Sequence, residues 1–583
     1  MNKLLKSAVC FLLAISLLVP VFSAAGVRQD NSLSVFVASD IHYRPQSLLG
    51  PIGQQNGLPG DPLYAHVNTK AMLTYEADAV IDEFLKQFEQ SSAKYLLIPG
   101  DLSENGYWGE HLGIAQKLRE FKARTGKKIF IIPGNHDIRT SASDNRLNLS
   151  DFLSVYADIG YDETLARHEG SASYTAELDG GYRLIAIDDC AYREDAFRMS
   201  QNLHDWIKQQ AQQAEKDGKK LIGMIHHSVL DHLGVQGAAG EMVMLDNWKT
   251  VASEFADWGI QYVFTGHIHA NDISTAVSDK GSRIYDIETD SLITYPNGYR
   301  EVNFSDTSVR IKTDYIQSID TSLLPDGYNQ AQLDLLENDF PAYSLGYFKA
   351  ATKSYANEIP EATKKLAGLL KLKQGTKGYD ALSSVLNIIG DSLSLPLYNS
   401  GNTAQVDSVE EIAALAGIKI AASDYDNFLE LAGTIFSHHY AGDENLDYNS
   451  VEVKLFRQCL NAALVYSLTN IPVSAANTLF SGIGLPDMGF NIKNNIYTQT
   501  AKAVYMKTAA KTMMNGFIEP FAEVLTKDAY APGDLNVTLE PYGSAGKAES
   551  NAVIISEQKS VWKILYKLLL AVLNAVKALF VQA

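Results

Sequence analysis

At 583 residues the chain is too long for one ordinary hydrophobic core, so two or more domains are expected. Hydrophobic residues at 46% and charged residues at 20% exclude a chain that is disordered throughout. The 68 acidic against 49 basic side chains give a formal charge of -19, which repels a nucleic-acid backbone, and no basic run precedes the extreme C-terminus; double-stranded nucleic acid is excluded as a partner.

Lys3 and Lys6 precede the apolar run AVCFLLAISLLV, which is followed by Pro20 and the small residues Ser23-Ala24-Ala25. The apolar run is shorter than the ~20 residues a membrane span needs, so residues 1–25 read as an export signal cleaved after Ala25. Cys10 leaves with it. Cys190 and Cys459 remain, far apart in the chain; they make no disulfide framework and read as packing residues.

From residue 32 to 318 short apolar strands alternate with amphipathic helices. SLSVFVASD, KYLLIPGD, KKIFIIPGN, YRLIAIDD, KKLIGMIHH and IQYVFTGH are the strands, each ending in a polar or glycine-containing turn. EADAVIDEFLKQFEQ is a helix whose Ala77, Val80, Ile81, Phe84, Leu85 and Phe88 mark one face. This alternation predicts a layered α/β domain. GSRIYDIET, YREVNF and SVRIKTDYI follow without intervening helices and predict antiparallel strands. Residues 320–540 turn helical, with runs such as SVEEIAALAGIKI and LNAALVYSL, and predict a separate all-α domain. A small, polar linker spans 541–556. In 557–583, Lys563, Lys567, Asn574 and Lys577 recur at helical spacing among Ile564, Leu568, Leu569 and Val572, predicting a basic amphipathic helix. Such a helix suits either a membrane surface or the protein's own helical domain.

Five polar blocks stand at strand ends: Asp40-Ile41-His42, Gly100-Asp101, Gly134-Asn135-His136-Asp137, His226-His227 and Gly266-His267-Ile268-His269. In layered α/β folds that edge is where loops gather ligands. Taken singly, each block is a capping Asp, a satisfied His or a glycine turn. Asp40/His42 and His267/His269 are i, i+2 pairs, whose side chains leave an extended segment on the same side. The joint set is imidazole, carboxylate and carboxamide with no thiolate, which suits Mn, Fe or Zn. Seven donors exceed one tetrahedral shell and imply two ions with one ligand shared.

These blocks resemble the calcineurin-like metallophosphoesterases, whose pattern is Asp-x-His, Gly-Asp, Gly-Asn-His-Asp/Glu, His and Gly-His-x-His; the resemblance covers roughly residues 33 to 315. Together with the signal and the helical C-terminal part, FVASDIHY and IHHSVLDH further resemble exported bacterial proteins grouped with the class III cyclic nucleotide phosphodiesterases. The resemblance implies a four-layer α/β/β/α sandwich followed by the all-α domain. It also implies one ion held by Asp40, His42, Asp101 and His269, a second held by Asp101, Asn135, His226 and His267, and His136 as the catalytic histidine. The family often has Pro shortly after its fourth-block His, whereas Ser228-Val229 follow here, so either His226 or His227 fits. His226 is chosen on the ground that the two point to opposite faces of a continuing strand.

Two divalent ions set against two carboxylates and a hydroxide retain roughly one positive charge, which suits a phosphoryl group. The implied activity is hydrolysis of a small phosphodiester, a nucleotide or cyclic nucleotide, without a covalent enzyme intermediate, by a protein exported to the surface or surroundings of a bacterium. Two alternatives stand: a phosphomonoesterase or 5′-nucleotidase-like hydrolase, and a surface-interaction protein with a vestigial metal site. Arg44, Arg139, His227 and His232 are candidate substrate contacts. Asp137 either orients His136 or caps a turn, Asp188-Asp189 read as caps, and His438-His439 read as helix surface or packing.

Overall fold

The computed structural model describes residues 32–49, 52, 70–139, 145–190, 199–232, 244–245, 247–352, 363–364, 367, 372–399, 406–442, 444, 446–471, 518–526, 528 and 533–544. The export signal, the basic C-terminal helix and the linker beyond residue 544 lie outside them.

Three largely apolar runs, β1 (Leu33–Val37), β2 (Tyr95–Ile98) and β3 (Lys128–Ile131), pair in parallel and, apart from half-buried Ser34 and Lys128, are buried on both faces, as strands covered from two sides must be. On the far side of β1 the sheet continues antiparallel through β11 (Gly298–Phe304) and β12 (Val309–Tyr315). A second sheet has at its centre the parallel strands β6 (Tyr182–Ile187), β7 (Lys220–Ile225), β8 (Ile260–Thr265) and β10 (Arg283–Glu288). It is flanked by antiparallel β4 (Thr164–Arg167) with β5 (Tyr174–Glu177) at one edge and β9 (Asp272–Val277) at the other.

Aromatic rings fill the space between the sheets. Phe304 of β11 lies 5.1 Å from Tyr182 and 5.4 Å from Tyr262, and Tyr174 donates its hydroxyl to the Ile131 carbonyl at 3.0 Å. Helix α1 (Ala77–Gln90) covers the outer face of the first sheet, setting Phe84 and Phe88 against Phe36 with ring centres 6.5 and 5.2 Å apart. The helix α2 (Trp108–Thr125) begins where Glu110 accepts from the Tyr107 amide and ends at left-handed Gly126. On the outer face of the second sheet, α3 (Gln201–Lys216) and α4 (Trp248–Asp257) bury Leu203, Ile207, Val251 and Phe255 against Ile185, Leu221 and Ile260. The layers are therefore α/β/β/α, with helices following.

In the C-terminal part, α5 (Gln330–Asn338), α6 (Phe340–Thr352), α7 (Lys377–Leu393), α8 (Val409–Ala416), α9 (Phe428–Ala441) and α10 (Val451–Asn470) are among the described helices. No described helix is long and apolar enough to cross a membrane. This part touches the sandwich directly: Tyr328, just before α5, and Tyr343 of α6 donate to Glu76 Oε1 at 2.8 and 2.6 Å, and the Asn271 amide donates to the Tyr440 carbonyl at 3.1 Å.

Residues 533–544, at the end of the stretch that reads as helical and the start of the linker, return to the sandwich. Asn536–Leu539 forms β13, antiparallel to β12, with Val537 and Leu539 buried and Asn536 and Thr538 exposed. That period-two burial was present in LNVTLE but spans only four residues. Asp534 Oδ1 accepts from the Ile273 amide at 2.7 Å. Fully buried Arg300 binds the Glu288 carbonyl at 2.7 Å, Thr313 Oγ1 at 3.0 Å and the Asp534 carbonyl. The Tyr542 hydroxyl accepts from the Leu221 amide at 3.2 Å, reaching the start of β7. We expect Asp534→Ala, which leaves a buried amide without its acceptor, to lower unfolding stability by about 1–3 kcal/mol in urea titration; an unchanged midpoint would mean that the strap adds nothing.

Candidate metal centre

All five polar blocks lie where strands end: Asp40 and His42 after β1, Asp101 after β2, Asn135 to Asp137 after β3, His226-His227 after β7, and His267 and His269 after β8. The i, i+2 spacing of these pairs predicts extended backbone. They are built differently. Asp40, His42, Asp101, His267 and His269 adopt left-handed φ of 50, 41, 49, 72 and 62°, conformations that cost non-glycine residues about 1–3 kcal/mol each and concentrate at functional sites. Two glycines allow the crowding: a Cβ on Gly134 would lie 2.1 Å from Asp101 Oδ1, and one on Gly266 2.3 Å from Asp40 Oδ2.

The seven donors converge in two groups. In the first, His42 Nε2 and His269 Nε2 are 3.0 Å apart, Asp40 Oδ1 is 3.4 Å from His269 Nε2 and 3.8 Å from His42 Nε2, and Asp101 Oδ2 is 3.6 Å from His42 Nε2. In the second, Asn135 Oδ1 is 3.0 Å from both His226 Nε2 and His267 Nδ1, and the same Asp101 Oδ2 is 3.4 Å from His226 Nε2. Donors about 2.1 Å from one ion stand roughly 3.0–3.5 Å apart, so these spacings fit a coordination shell. Facing ring nitrogens and buried carboxylates suit cations better than they suit one another. Burial works against charge on both partners, yet Asp101 is held well below the usual carboxylate range by His226, His136 and His42, and His226 is raised to about 10 by Asp101. Burial pushes His42 well down, toward the neutral form that binds metals. The residues present therefore fit two divalent ions sharing Asp101.

Backbone contacts fix the donors. The His136 amide donates to Asp101 Oδ1 at 2.8 Å, the His267 amide to Asp40 Oδ2 at 3.0 Å, and His226 Nδ1 meets the Pro99 carbonyl at 2.8 Å. Asp137 does not hold His136. Its carboxylate accepts from the amides of Gly134, Leu102 and Ser103 at 2.8, 3.1 and 2.8 Å and clamps the Asn135 loop to the Asp101 loop; His136 Nδ1 is instead carried by the Glu104 carbonyl at 2.6 Å. Burial, with the Asp101 charge added, pushes the Asp137 carboxyl up to about 7 against the pull of those amides.

The candidate substrate contacts are placed as follows. Arg44 Nη1 lies 3.4 Å from Glu104 Oε2, and Arg139 binds the Asn135 and Ile138 carbonyls. Strand β7 stops at Ile225, so the opposite-face argument for His226 and His227 does not apply. Their ring centres are 5.0 Å apart, and His227 Nδ1 is paired with Asp189 Oδ2 at 3.0 Å. Asp188 caps, accepting from the Ala172 amide at 2.8 Å. His232 is turned into a buried acidic cluster, 2.8 Å from Asp272 Oδ1, 3.4 Å from Asp286 Oδ2 and 3.8 Å from Glu288 Oε2. His438 is half-buried and His439 packs against Glu444 at 2.8 Å. Lys70, part of no motif, was missed: its Nζ is 3.6 Å from Glu104 Oε1, and its charge acts on both His42 and His136.

Two β-sheets flanked by helices carry this donor cluster at their strand ends. Residues 33–271 match the family model described as calcineurin-like phosphoesterase, a family of metal-dependent phosphohydrolases that use a dinuclear metal centre. Solved structures similar to the chain include a dimetal phosphatase from Danio rerio, at 13% identity over 48% of this chain and 95% of that one with a TM-score of 0.33. Another is the phosphopantetheinyl hydrolase from Mycobacterium tuberculosis, at 12% identity over 45% of this chain and 91% of that one with a TM-score of 0.24. No curated protein matches the chain.

Removing His232 takes the shared cation from three buried carboxylates, of which Asp286 keeps the Val229 and Leu230 amides and Glu288 keeps Ser228 Oγ. We expect His232→Asn to cost about 3–5 kcal/mol in denaturant unfolding, the loss typical of a broken buried pair. Burial alone would lower the His232 pKa, but Asp272, Asp286 and Glu288 hold it well above the ordinary value of about 6.5. Its contribution is thus complete below about pH 6.5 and declines as pH rises through the folded-state pKa. A wild-type minus His232→Asn stability difference that grew at alkaline pH would contradict this arrangement.

Proposed function

We propose that the chain is an exported two-metal phosphodiesterase acting on small phosphate esters, with nucleotides or cyclic nucleotides the favoured class. The observation that carries this reading is the position of Asp101 Oδ2 between two donor groups, with His136 beside it: a ring nitrogen of His136 lies within 4.8 Å of donor atoms of His42 and Asp101. Asp40, His42, Asp101 and His269 would hold one divalent ion, and Asp101, Asn135, His226 and His267 the other. Bound there, Mn, Fe or Zn ions polarise phosphoryl oxygens and lower the pKa of a coordinated water. Asn135 contributes a neutral oxygen, so the two carboxylates leave net positive charge for an anionic ester.

We assign His136 to the leaving side of the reaction. The Glu104 carbonyl can only accept, so Nδ1 carries a proton, and protonating a departing alkoxide would need a second proton, on Nε2. Arg44 and Arg139 are engaged by Glu104 and by backbone carbonyls, which supports a diester monoanion over a monoester dianion as substrate. Lys70 is engaged in the same way, its Nζ 3.6 Å from Glu104 Oε1. The small-residue site at Ser23-Ala24-Ala25 supports export. The completeness of the donor set argues against a vestigial site.

Elemental analysis of the purified protein should find close to two transition-metal ions per chain, and Asp101→Asn should reduce both. Full occupancy after that change would remove the bridging role. On metal-replete protein, the ratio of turnover on an aryl phosphodiester to that on the matching monoester separates the two substrate classes. His136→Ala should keep its metal yet lose on the order of 10² or more in kcat. The defect should be mild with an aryl leaving group and severe with a ribose alkoxide, which needs a proton; equal defects would instead assign His136 to stabilising the phosphoryl oxygens.

A further inference from the structure

The two donor groups are unequal in charge. The first has the whole of Asp40 besides its share of Asp101; the second has only its share of Asp101, because Asn135, His226 and His267 are neutral as ligands. By charge alone the second is the weaker position. Beside it lies a pair that neither group uses. His227 is fully buried, with its ring centre 4.3 Å from that of His267 and 5.0 Å from that of His226, and a donor atom of His227 lies within 4.8 Å of donor atoms of both. Buried Asp189 binds its Nδ1 at 3.0 Å. The adjacent Cys190 is anchored as well: its Sγ donates to the Pro133 carbonyl at 3.0 Å, and its amide donates to Asp188 Oδ1 at 3.2 Å.

A carboxylate behind an imidazole fixes the proton on the nitrogen it contacts, turns the ring and makes the other nitrogen a better donor. With Nδ1 held by Asp189, that other nitrogen is Nε2. We propose that Asp189 and His227 form an auxiliary arm of the second metal position, in which His227 adds a donor and Asp189 supplies, through the ring, the negative charge that this position otherwise lacks. The arm rests on the two-ion reading above. It sets the affinity of one ion independently of the other, and so the metal supply at which the centre changes from one ion to two.

The test is a titration of metal-free protein with Co²⁺, followed by calorimetry and by the visible absorption of the bound ion, on wild type, His227→Ala and Asp189→Asn. Wild type should take up two ions. His227→Ala should weaken the second by about 10–100-fold, leave the first unchanged, and alter the absorption band of the second ion alone. Free imidazole should restore the lost affinity. Asp189→Asn, nearly isosteric, should weaken the second ion in the same sense and carries the test if His227→Ala fails to fold. Folded variants that bind the second ion with wild-type affinity and spectrum would overturn the arm while leaving the two-ion reading intact. Equal weakening of both ions, or unfolding of both variants, would make the pair a packing element and overturn it too. Fewer than two ions on wild type would defeat the two-ion reading and the arm together.

Discussion

The structure turns on a buried carboxylate held between two groups of imidazoles. Asp101 sits at the end of β2 with a left-handed backbone, one oxygen taken by the His136 amide and the other facing His42 and His226. Burying an anion so completely is unfavourable unless several partners converge on it. Four strand ends are therefore brought to one place: β1 contributes His42, β3 contributes the His136 amide, β7 contributes His226, and Asp137 ties the β2 and β3 loops together. Gly134 must lack a side chain because the carboxylate occupies that space. The layered fold supplies rigidity for these contacts: parallel strands buried on both faces fix the origin of each loop, and aromatic rings lock one sheet onto the other.

Much of this was legible in the sequence, for a physical reason. Donors for hard and borderline metals come from few residue types, and strand ends are marked by the switch from an apolar run to a polar turn. Asp40, His42, Asp101, Asn135, His226, His267 and His269 stood out on both counts, and all seven converge. The means of convergence was not legible. Left-handed backbone at Asp40, His42, Asp101, His267 and His269 leaves no trace in residue type, so extended geometry was the natural inference, and it gives the right neighbours from the wrong backbone.

Other residues escaped because their role depends on direction. Asp189 looks like any acidic cap after a strand until the fold turns it onto His227. His232 follows His226 closely, but closeness in sequence does not reveal that the loop between them is drawn toward β9 and β10, where Asp286 accepts from the Val229 and Leu230 amides. Lys70 is in no motif, and only tertiary structure sets it against Glu104. Strand β13 is short and preceded by a helical region, so its alternation carried too little signal against its surroundings.

The strap at residues 533–544 also gives the molecule a history. Thr313 Oγ1 donates to the Leu535 carbonyl across 222 residues, and Arg300 reaches Asp534 across 234. Chains are made from the N-terminus at about 5–20 residues per second, so every metal donor has been synthesised roughly ten seconds or more before the strand that closes the β12 edge. During that interval the sandwich has an unpaired edge, and the Arg300 guanidinium lacks one of its acceptors. Contacts so distant in sequence form late. Completion of the first sheet is thereby tied to synthesis through residue 539, and a nascent chain stalled within the helical region would carry all seven donors on a domain that still lacks β13.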